Sequence, residues 1–495
     1  MRSVLALDQG TTGSTALVIA ADGRVLGRGY REFRQHFPQP GWVEHEPADL
    51  LQATLDAARE ALAAAAVTPE CIGITNQRET VVVWDRVTGV PVHRAIVWQD
   101  RRTADRCVAL AGAKDVIAQR TGLVLDAYFS ATKIEWLLRS DGALARRALN
   151  GELLAGTVDT WLIWQLTDGA VHATDPTNAS RTMLYDIDKH AWSDELCELF
   201  GVPRVMLPEV RTSRGDFGVA SARHLGVALP ITGVAGDQQS ALFGQGCVEP
   251  GEAKNTYGTG AFMLMNTGTV RPSLGDGLLT TIACDAQGAP CYALEAAIFI
   301  AGAAVQWIRD GLGLIATASE TEALASGLAS NDGVYFVPAL TGLGAPHWEA
   351  EARGMLVGLT RGTTRAHIVR AALEAMAFGT ADVMQSMQQR SGVALDALRV
   401  DGGAANNGWL MQFQADVLGV PVERPAMVET TALGAAGLAG LHTGVWRDAS
   451  EFRGAQRVSV VTPGPGMAEA RASYAGWHRA VRAALGWARD GRAGG

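Results

Sequence analysis

Lysine is scarce in this 495-residue sequence. It occurs only at Lys114, Lys133, Lys189 and Lys254, so arginine supplies nearly all of the positive charge, and the net charge is −9. Nucleic acids and anionic membranes both require a basic face on a protein partner. The charge balance therefore argues against either of them as a partner.

The sequence also lacks paired cysteines and long apolar runs. Its six cysteines are scattered without a Cys-x-x-Cys pair, a pattern that favours reduced thiols over a disulfide framework or a zinc site. Asp8 interrupts the first apolar run, which argues against a secretory signal peptide. No apolar stretch approaches the roughly 20 residues that span a bilayer. We therefore expect a soluble cytoplasmic protein without membrane insertion.

Short β-rich runs alternate with amphipathic helices along the first half of the chain. Residues 4–7, 15–19, 25–30 and 71–76 read as strands, and the leucine spacing at 47–66 predicts a helix. Strands that alternate with helices indicate an α/β architecture.

A second start of the same kind follows the linker-like Glu249-Pro250-Gly251. Residues 253–268 contain a glycine-threonine turn that feeds a β-rich run, and residues 397–413 predict a strand, a glycine turn and a helix. Further helices are predicted at about 295–310, 366–390 (closed by Gly392) and 429–442.

Two comparable α/β halves predict a cleft between two domains. We expect one domain at residues 1–247, a second at 253–444, and a less regular, helical C-terminal extension at 445–495.

The stretch "DQGTTGST" at residues 8–15 combines a carboxylate with a glycine turn. Gly10 and Gly13 allow positive φ and a close backbone approach, while the hydroxyl residues between and after them add donors for an anion. Asp8 can hold a magnesium ion directly or through water. An ordinary hairpin with polar turn residues explains this stretch equally well.

Three more glycine turns of this kind follow predicted strands. They are "GDQQSALFGQG" (236–246), "YGTG" (257–260) and "DGGAANN" (401–407). Four such turns together favour a polyphosphate ligand. A P-loop is excluded because no lysine follows a glycine. "GLGLIA" (311–316) resembles a dinucleotide fingerprint but follows a predicted helix, so we interpret it as the end of that helix, and a Rossmann dehydrogenase is a poor second choice.

The chain resembles the FGGY carbohydrate kinases, and among them the glycerol kinases, from its first strand to about residue 445. The stretches that carry the resemblance include "ALDQGTT", "GWVEHEP", "GITNQRETVVVW", "IVWQDRRT", "TGLVLDAYFSATK", "TNASRTML", "GDQQSALFGQ" and "KNTYGTGAF". The resemblance implies an α/β, two-domain actin-like ATPase (ribonuclease H-like) fold with an interdomain cleft. It also implies transfer of the γ-phosphoryl group of Mg-ATP to glycerol, giving sn-glycerol 3-phosphate and ADP in glycerol catabolism.

The same resemblance implies nucleotide contacts on the turns and on one helix. Taken alone, Gly302 would be a helix-packing glycine and Gln306 a solvated polar residue. The implied nucleotide-binding residues are Thr11, Thr12, Gly13, Thr259, Gly302, Gln306, Gly403 and Asn407.

The acceptor site is implied in the same way. Taken alone, Arg78 and Glu79 would form a surface pair of little energetic value, and Trp98 would be a core residue. The resemblance makes Asp237 the general base and assigns Mg²⁺ to Asp8 and Asp237, directly or through water. The implied glycerol-binding residues are Arg78, Glu79, Trp98, Tyr128, Asp237, Gln238 and Phe262.

Two positions depart from the family pattern. Thr15 stands where family members commonly have arginine, so that cationic contact is lost. The segment 224–233 lacks the glycine- and arginine-rich loop that binds fructose 1,6-bisphosphate in some bacterial glycerol kinases, and Ala228 stands near the position of the arginine. We expect little or no inhibition by that ligand. The resemblance also suggests a homo-oligomer, either a dimer or a tetramer.

Two alternatives stay open at this point. One is a related kinase that acts on another polyol or a ketose, and the other is a non-catalytic actin-like ATPase scaffold. The acceptor set argues against the scaffold, because a scaffold has no use for a triol pocket.

Overall fold

The computed structural model describes residues 1–493, which divide into two compact units. The first unit combines Met1–Val248, Thr280–Ala293 and Glu429–Gln456; the second combines Glu249–Leu279, Leu294–Val428 and the chain from Arg457 onward. The domain borders drawn from the sequence remain a prediction. Those domains are continuous ranges of the chain, whereas each compact unit combines three separate segments.

A six-stranded sheet forms the centre of the first unit. Its strands are β1 (Ser3–Gln9), β2 (Gly13–Ala20), β3 (Val25–Glu32), β4 (Cys71–Asn76), β5 (Val219–Ala220) and β6 (Leu229–Gly236). Their spatial order is β5-β6-β4-β1-β2-β3. β1, β2 and β3 pair antiparallel, whereas β4 lies parallel to β1 and to β6. The strands predicted at the start of the chain are confirmed.

The apolar run of β1 is buried on both faces of this sheet. Leu5 and Leu7 belong to the same core cluster as Leu50 of the helix Pro47–Ala65. Val4 points to the opposite face, where the helix Thr430–Thr443 approaches it. A strand covered on both faces needs an uninterrupted apolar sequence, which explains "SVLAL".

A smaller five-stranded sheet also belongs to the first unit. Its strands, in spatial order, are Gln35–His36, Glu44–His45, Ala95–Ile96, Val81–Asp85 and Leu153–Thr157. The other helices of this unit are Ala104–Ala109, Lys114–Thr121, Ser130–Ser140, Gly142–Leu149, Val158–Leu166, Pro176–Ala179, Asp194–Leu199, Ala222–Leu225, Asp237–Gly244 and Ala449–Gly454.

The second unit repeats the strand pairings of the first. Its main strands are β7 (Glu252–Tyr257), β8 (Ala261–Gly268), β9 (Pro290–Ile298, which belongs to this unit from Leu294 onward), β10 (Ala397–Gly402), β11 (Val422–Pro425) and β12 (Val458–Val461). Their order is β9-β8-β7-β10-β11-β12, with β7 antiparallel to β8 and parallel to β10, and β10 parallel to β11. In both units the first strand pairs antiparallel with the strand that follows it and parallel with a later strand, so the predicted likeness of the two halves is confirmed.

The longest helix predicted in the second unit is confirmed, including the residue at which it ends. The helix Arg365–Ser391 ends at Gly392, which has φ 71°, as predicted. Its other helices are Gly302–Gln306, Glu320–Ser326, Gly408–Leu418 and Met467–Ala493.

Two predictions of secondary structure are wrong in part. The helix expected at 295–310 begins only at Gly302, because "PCYALEAAI" forms the buried strand β9, and a wider turn then extends it to Gly311. The C-terminal segment also contains the strand β12, whose "VSVV" sequence is rich in β-branched residues. No helix within residues 1–493 is long and apolar enough to cross a membrane.

Candidate active site

Three parallel strands of the first unit end side by side. Gln9 at the end of β1 lies opposite Asn76 of β4, and Asn76 lies opposite Gly236 of β6. The carboxyl ends of parallel strands form the usual ligand-binding edge of an α/β sheet. The candidate residues that lie at or just after these ends are Asp8, Thr11, Arg78, Glu79 and Asp237.

Asp237 is the first residue of the helix Asp237–Gly244. Its Oδ1 accepts a hydrogen bond from the backbone nitrogen of Gln238 at 2.7 Å and lies 3.1 Å from Nε of Arg78. The helix N-terminus and the guanidinium both favour the charged carboxylate. The side chain of Asp237 remains 33% exposed whereas that of Arg78 is 3% exposed, so the carboxylate is accessible while its partner is fixed.

Glu79 lies in an unusual backbone conformation between two arginines. The Thr80 nitrogen donates to the Arg78 carbonyl at 2.7 Å, and Glu79 at the centre of this turn has φ 62°. Nε of Arg181 donates to Glu79 Oε1 at 2.6 Å, and both side chains are fully buried. A strained residue persists only where its surroundings hold it, and such residues cluster at functional sites.

Tyr128 lies on a loop held by a buried lysine. Nζ of Lys133 donates to the carbonyls of Ala127, Tyr128 and Phe129 at 2.5, 2.7 and 3.0 Å. Burial lowers the pKa of Lys133 to about 7. The Tyr128 ring meets the Trp98 ring edge to face, with centroids 5.5 Å apart. Two of the predicted acceptor residues therefore contact each other.

The turn between β1 and β2 is a tight hairpin. The Gly10 nitrogen donates to the Gly13 carbonyl at 3.0 Å, and Trp98 Nε1 donates to Thr11 Oγ1 at 2.9 Å. Contrary to the expectation from sequence, neither glycine adopts a positive φ. Close approach explains Gly13 instead, because a Cβ there would lie 2.7 Å from the Tyr30 hydroxyl. Thr12, which lies between Thr11 and Gly13 in this turn, is exposed to solvent.

Asp8 and Asp237 influence each other electrostatically. Burial and the charge of Asp237 raise the pKa of Asp8 to about 7. Two carboxylates that repel each other fit a divalent cation, and Mg²⁺ is usually held by one or two carboxylates together with phosphate oxygens and water. Residues 1–493 contain no group of three or more His, Cys, Asp or Glu side chains that could form an all-protein metal site. The donor set therefore fits a cation that arrives with a phosphate.

The second unit contains a cavity of about 570 Å³ at the ends of β7 and β10. Tyr257 at the end of β7 lies opposite Gly402 at the end of β10, so the turns after these strands are neighbours. The lining includes apolar carbons from Val305 and Leu373. The cavity is also lined by five of the predicted nucleotide-binding residues, Thr259, Gly302, Gln306, Gly403 and Asn407.

Close backbone approach shapes one part of this cavity. A Cβ at Gly302 would lie 2.6 Å from the Gly258 carbonyl oxygen, whereas a Cβ at Gly403 would meet no atom within 4 Å. Asn407 also has a structural task, because its Oδ1 caps the helix Gly408–Leu418 by accepting from the Leu410 nitrogen. Gly302 is thus required for close packing, while Gly403 leaves open space.

Two predicted residues are less closely tied to these groups. Phe262 lies on β8 and is 43% exposed, and it does not line the cavity of its own unit. Gln238 is half-buried beside Asp237, and its backbone nitrogen donates to Asp237 Oδ1.

Sequence reasoning missed several side chains of the site. Arg181 and Lys133 lie within the quoted stretches "TNASRTML" and "TGLVLDAYFSATK", and Gln239 accepts from Arg78 Nη1 at 3.1 Å. In both stretches the available signal was a single positively charged residue among small and apolar residues, because such a residue is almost never fully buried unless its charge is paired. Arg309 and Glu322, which line the cavity of the second unit, carried no such signal.

Comparison with known families places both halves of the chain. Residues 3–244 match the N-terminal domain and residues 253–442 the C-terminal domain of the FGGY family of carbohydrate kinases. The chain belongs to this family, and it has the family's α/β, two-domain kinase fold.

Individual relatives extend over almost the whole chain. The protein is 53% identical to glycerol kinase 2 of Thermotoga maritima over 493 residues, which cover 98% of this chain and 99% of that one. It is 56% identical to the glycerol kinase of Rhodopirellula baltica over 457 residues, covering 91% and 85% of the two chains. The crystal structure of Plasmodium falciparum glycerol kinase with ADP superposes with a TM-score of 0.92 at 36% identity, covering 98% of each chain.

Proposed function

We propose that this protein is a glycerol kinase, an ATP:glycerol 3-phosphotransferase that forms sn-glycerol 3-phosphate and ADP. The observation that carries the proposal is the identity of more than half of the residues with glycerol kinases over nearly the entire chain. The described site supports it, because each side chain that the family resemblance assigned to the acceptor in the first unit lies at or near one sheet edge.

Asp237 acts as the general base in this proposal. Its carboxylate accepts the proton of the attacking hydroxyl, and Arg78 holds the carboxylate in place through the 3.1 Å contact. Phosphoryl transfer has a loose transition state with little covalent work for the protein. Orientation of the hydroxyl and stabilisation of charge therefore account for most of the expected rate.

Glycerol binds through donors and acceptors for its hydroxyls and through an aromatic wall for its carbon chain. Arg78, Glu79, Tyr128, Asp237 and Gln238 supply the polar groups, and the buried pair of Glu79 with Arg181 fixes one of them. Trp98 supplies an aromatic face, and Phe262 is the second aromatic residue that we propose for this role. A small polar ligand in a mostly preformed site is typically recognised in this way.

The nucleotide contacts in this proposal fall into two groups. The cavity of the second unit takes the adenosine, with Gly302, Gln306, Gly403 and Asn407 against it, while Thr11, Thr12, Gly13 and Thr259 contact the phosphates. Mg²⁺, held through Asp8 and Asp237, would supply charge neutralisation at the phosphate oxygens when bound.

Other features of the function remain proposals. We propose a cytoplasmic enzyme, and the six cysteines of the chain, which are all buried and form no disulfide in the described structure, are compatible with a reducing compartment. We also propose a homo-oligomer, a dimer or a tetramer, from the family resemblance. Little or no inhibition by fructose 1,6-bisphosphate is proposed because segment 224–233 lacks the glycine- and arginine-rich sequence.

A coupled assay of ADP release tests the proposal directly. With Mg-ATP present, we expect release that depends on glycerol and clearly lower kcat/KM for xylulose, ribulose, gluconate and erythritol. A higher kcat/KM for one of those acceptors would assign the protein to a related kinase. ADP release at the same rate with and without any acceptor would instead support an ATPase scaffold.

A further inference from the structure

Six residues of the first unit form a closed ring of hydrogen bonds beside the candidate site. Two of them, Thr11 and Trp98, are residues that the proposed function assigns to the phosphates and to glycerol. The other four carry no assigned role. The ring passes through Trp98, Thr11, Gln35, His45, Gln77 and Thr80.

One half of the ring runs from the acceptor wall through the phosphate turn. Trp98 Nε1 donates to Thr11 Oγ1 at 2.9 Å, and Gln35 Nε2 donates to the Thr11 carbonyl at 2.8 Å. Gln35 Oε1 then faces His45 Nε2 at 2.6 Å. Gln35 and His45 are paired residues on adjacent strands, so the small sheet sets their spacing.

The other half returns to Trp98 through two buried residues. His45 Nδ1 lies 3.4 Å from Gln77 Nε2, and Thr80 Oγ1 donates to Gln77 Oε1 at 2.9 Å. The backbone nitrogen of Trp98 donates to Thr80 Oγ1 at 3.2 Å and closes the ring. Gln77 Nε2 also reaches the Gly10 carbonyl at 3.2 Å, so two successive carbonyls of the phosphate turn are held.

One arrangement of protons satisfies every link of the ring, with the two hydrogens of Gln77 Nε2 shared among His45 Nδ1, the Gly10 carbonyl and Gln9 Oε1, the last at 3.1 Å. Gln35 Oε1 can only accept, so Nε2 of His45 carries the proton, and Nδ1 is then free to accept from the Gln77 amide. His45, Gln77 and Thr80 are fully buried, where an unmade hydrogen bond is costly. Each member therefore fixes the orientation of the next.

We propose that this ring is a positioning device that holds the phosphate turn at Thr11 and the acceptor wall at Trp98 in a fixed mutual position. The inference rests on the proposed function, because Thr11 and Trp98 gain their roles from it. His45, Gln35, Gln77 and Thr80 act through these two residues. Loss of any link therefore impairs both substrates together.

The test compares two substitutions at Thr80. Thr80→Val keeps the shape of the side chain but removes the hydroxyl that makes two links, whereas Thr80→Ser keeps the hydroxyl. We expect Thr80→Val to lower kcat about tenfold and to raise KM for ATP and for glycerol several-fold, since small misplacements are costly in catalysis. Thr80→Ser should restore values close to those of the wild type.

Thr167→Val is the matched control. Thr167 is also buried in the first unit, and its hydroxyl donates to the Ile163 carbonyl at 2.8 Å, outside the ring. It should shift the thermal midpoint as much as Thr80→Val does and leave both KM values unchanged. Gln35→Met cuts the ring on its other side, and the double variant with Thr80→Val should be little worse than either single one.

Two results would overturn the proposed positioning role of the ring. One is a Thr80→Val enzyme whose kcat and KM values match those of Thr167→Val, and the other is strict additivity of Thr80→Val and Gln35→Met. If wild-type enzyme prefers another acceptor to glycerol, only the proposed substrate fails, and the same variants are then compared with that acceptor.

Discussion

The two units share a pattern of strand pairing but use it differently. In both, candidate residues follow the carboxyl ends of neighbouring parallel strands, β1 with β4 and β7 with β10. In the first unit that edge carries charged side chains in tight contact, such as Arg78 with Asp237. In the second it carries glycine turns and a cavity lined by both polar and apolar residues.

This difference separates what a fold determines from what individual side chains determine. Repeated strand pairings account for where each site lies, since open α/β sheets place ligands at strand ends. They do not account for the chemistry, because the same edge carries the Arg78–Asp237 pair in one unit and glycine turns beside a cavity in the other. The first unit should therefore be sensitive to changes of charge and hydrogen bonding, and the second to changes of volume.

The largest effect is expected at Asp237. Asp237→Asn keeps the shape of the side chain and removes the base, so kcat should fall by about 10³-fold. Glycerol and a non-hydrolysable ATP analogue should still bind, as measured by calorimetry. Asp194→Asn, an exposed change at the start of another helix of the first unit, is the control. Near-normal turnover of Asp237→Asn would contradict the assignment of the base.

Loss of a buried charge should have the next largest effect. Arg181→Met leaves the buried Glu79 carboxylate without its 2.6 Å partner, which typically destabilises a protein by about 3–5 kcal/mol. Urea unfolding measures the loss. Adding Glu79→Gln should recover part of the stability but not the binding of glycerol. A double variant that is no more stable than Arg181→Met would show that the charge of Glu79 is not the cause.

The first unit should also lose stability in mild acid. Burial, followed by the charge of His36, lowers the pKa of His45 to about 4 from an ordinary value of 6.5. The unfolded chain then binds more protons than the folded one below pH 6.5, so stability falls as the pH drops from about 6.5 to about 4. The contribution is at most roughly 3 kcal/mol.

The thermal midpoints of unfolding at pH 7 and at pH 4.5 measure this loss of stability. His45→Gln should reduce the difference between the two thermal midpoints, although His172, whose pKa burial also lowers to about 4, maintains part of it. An unchanged difference in His45→Gln would exclude His45 as a source of acid sensitivity.

The smallest effect is expected in the second unit, from added volume. A methyl group at Gly302 would meet the Gly258 carbonyl, so Gly302→Ala should displace the turn, lower the thermal midpoint and raise KM for ATP about tenfold, equivalent to about 1.4 kcal/mol. Gly403→Ala is the matched change because its Cβ meets nothing within 4 Å. It should keep the thermal midpoint and change KM only a few-fold. Equal losses of stability in the two variants would contradict this account of the cavity.

Local sequence patterns predicted most helices and strands, whereas features that depend on tertiary contacts could not be predicted from them. The apolar run of β4 and the glycine after the helix Arg365–Ser391 were sufficient to predict those elements. The strand β9 was missed because its burial in a sheet overrides a sequence that also suits a helix. The pairing of Arg181 with Glu79 joins residues 102 positions apart, which no local pattern could reveal. The closed ring through His45 depends in the same way on strand register.

The path of the chain determines when the first unit can be completed during synthesis. The helix Thr430–Thr443, which covers one face of its main sheet near Val4 and Gly73, is translated after most of the second unit. A fragment that stops at Val248 would leave that apolar face in water. Such a truncated chain should be prone to aggregation, and the earliest strand can be fully enclosed only after the helix that ends at Thr443 has emerged from the ribosome.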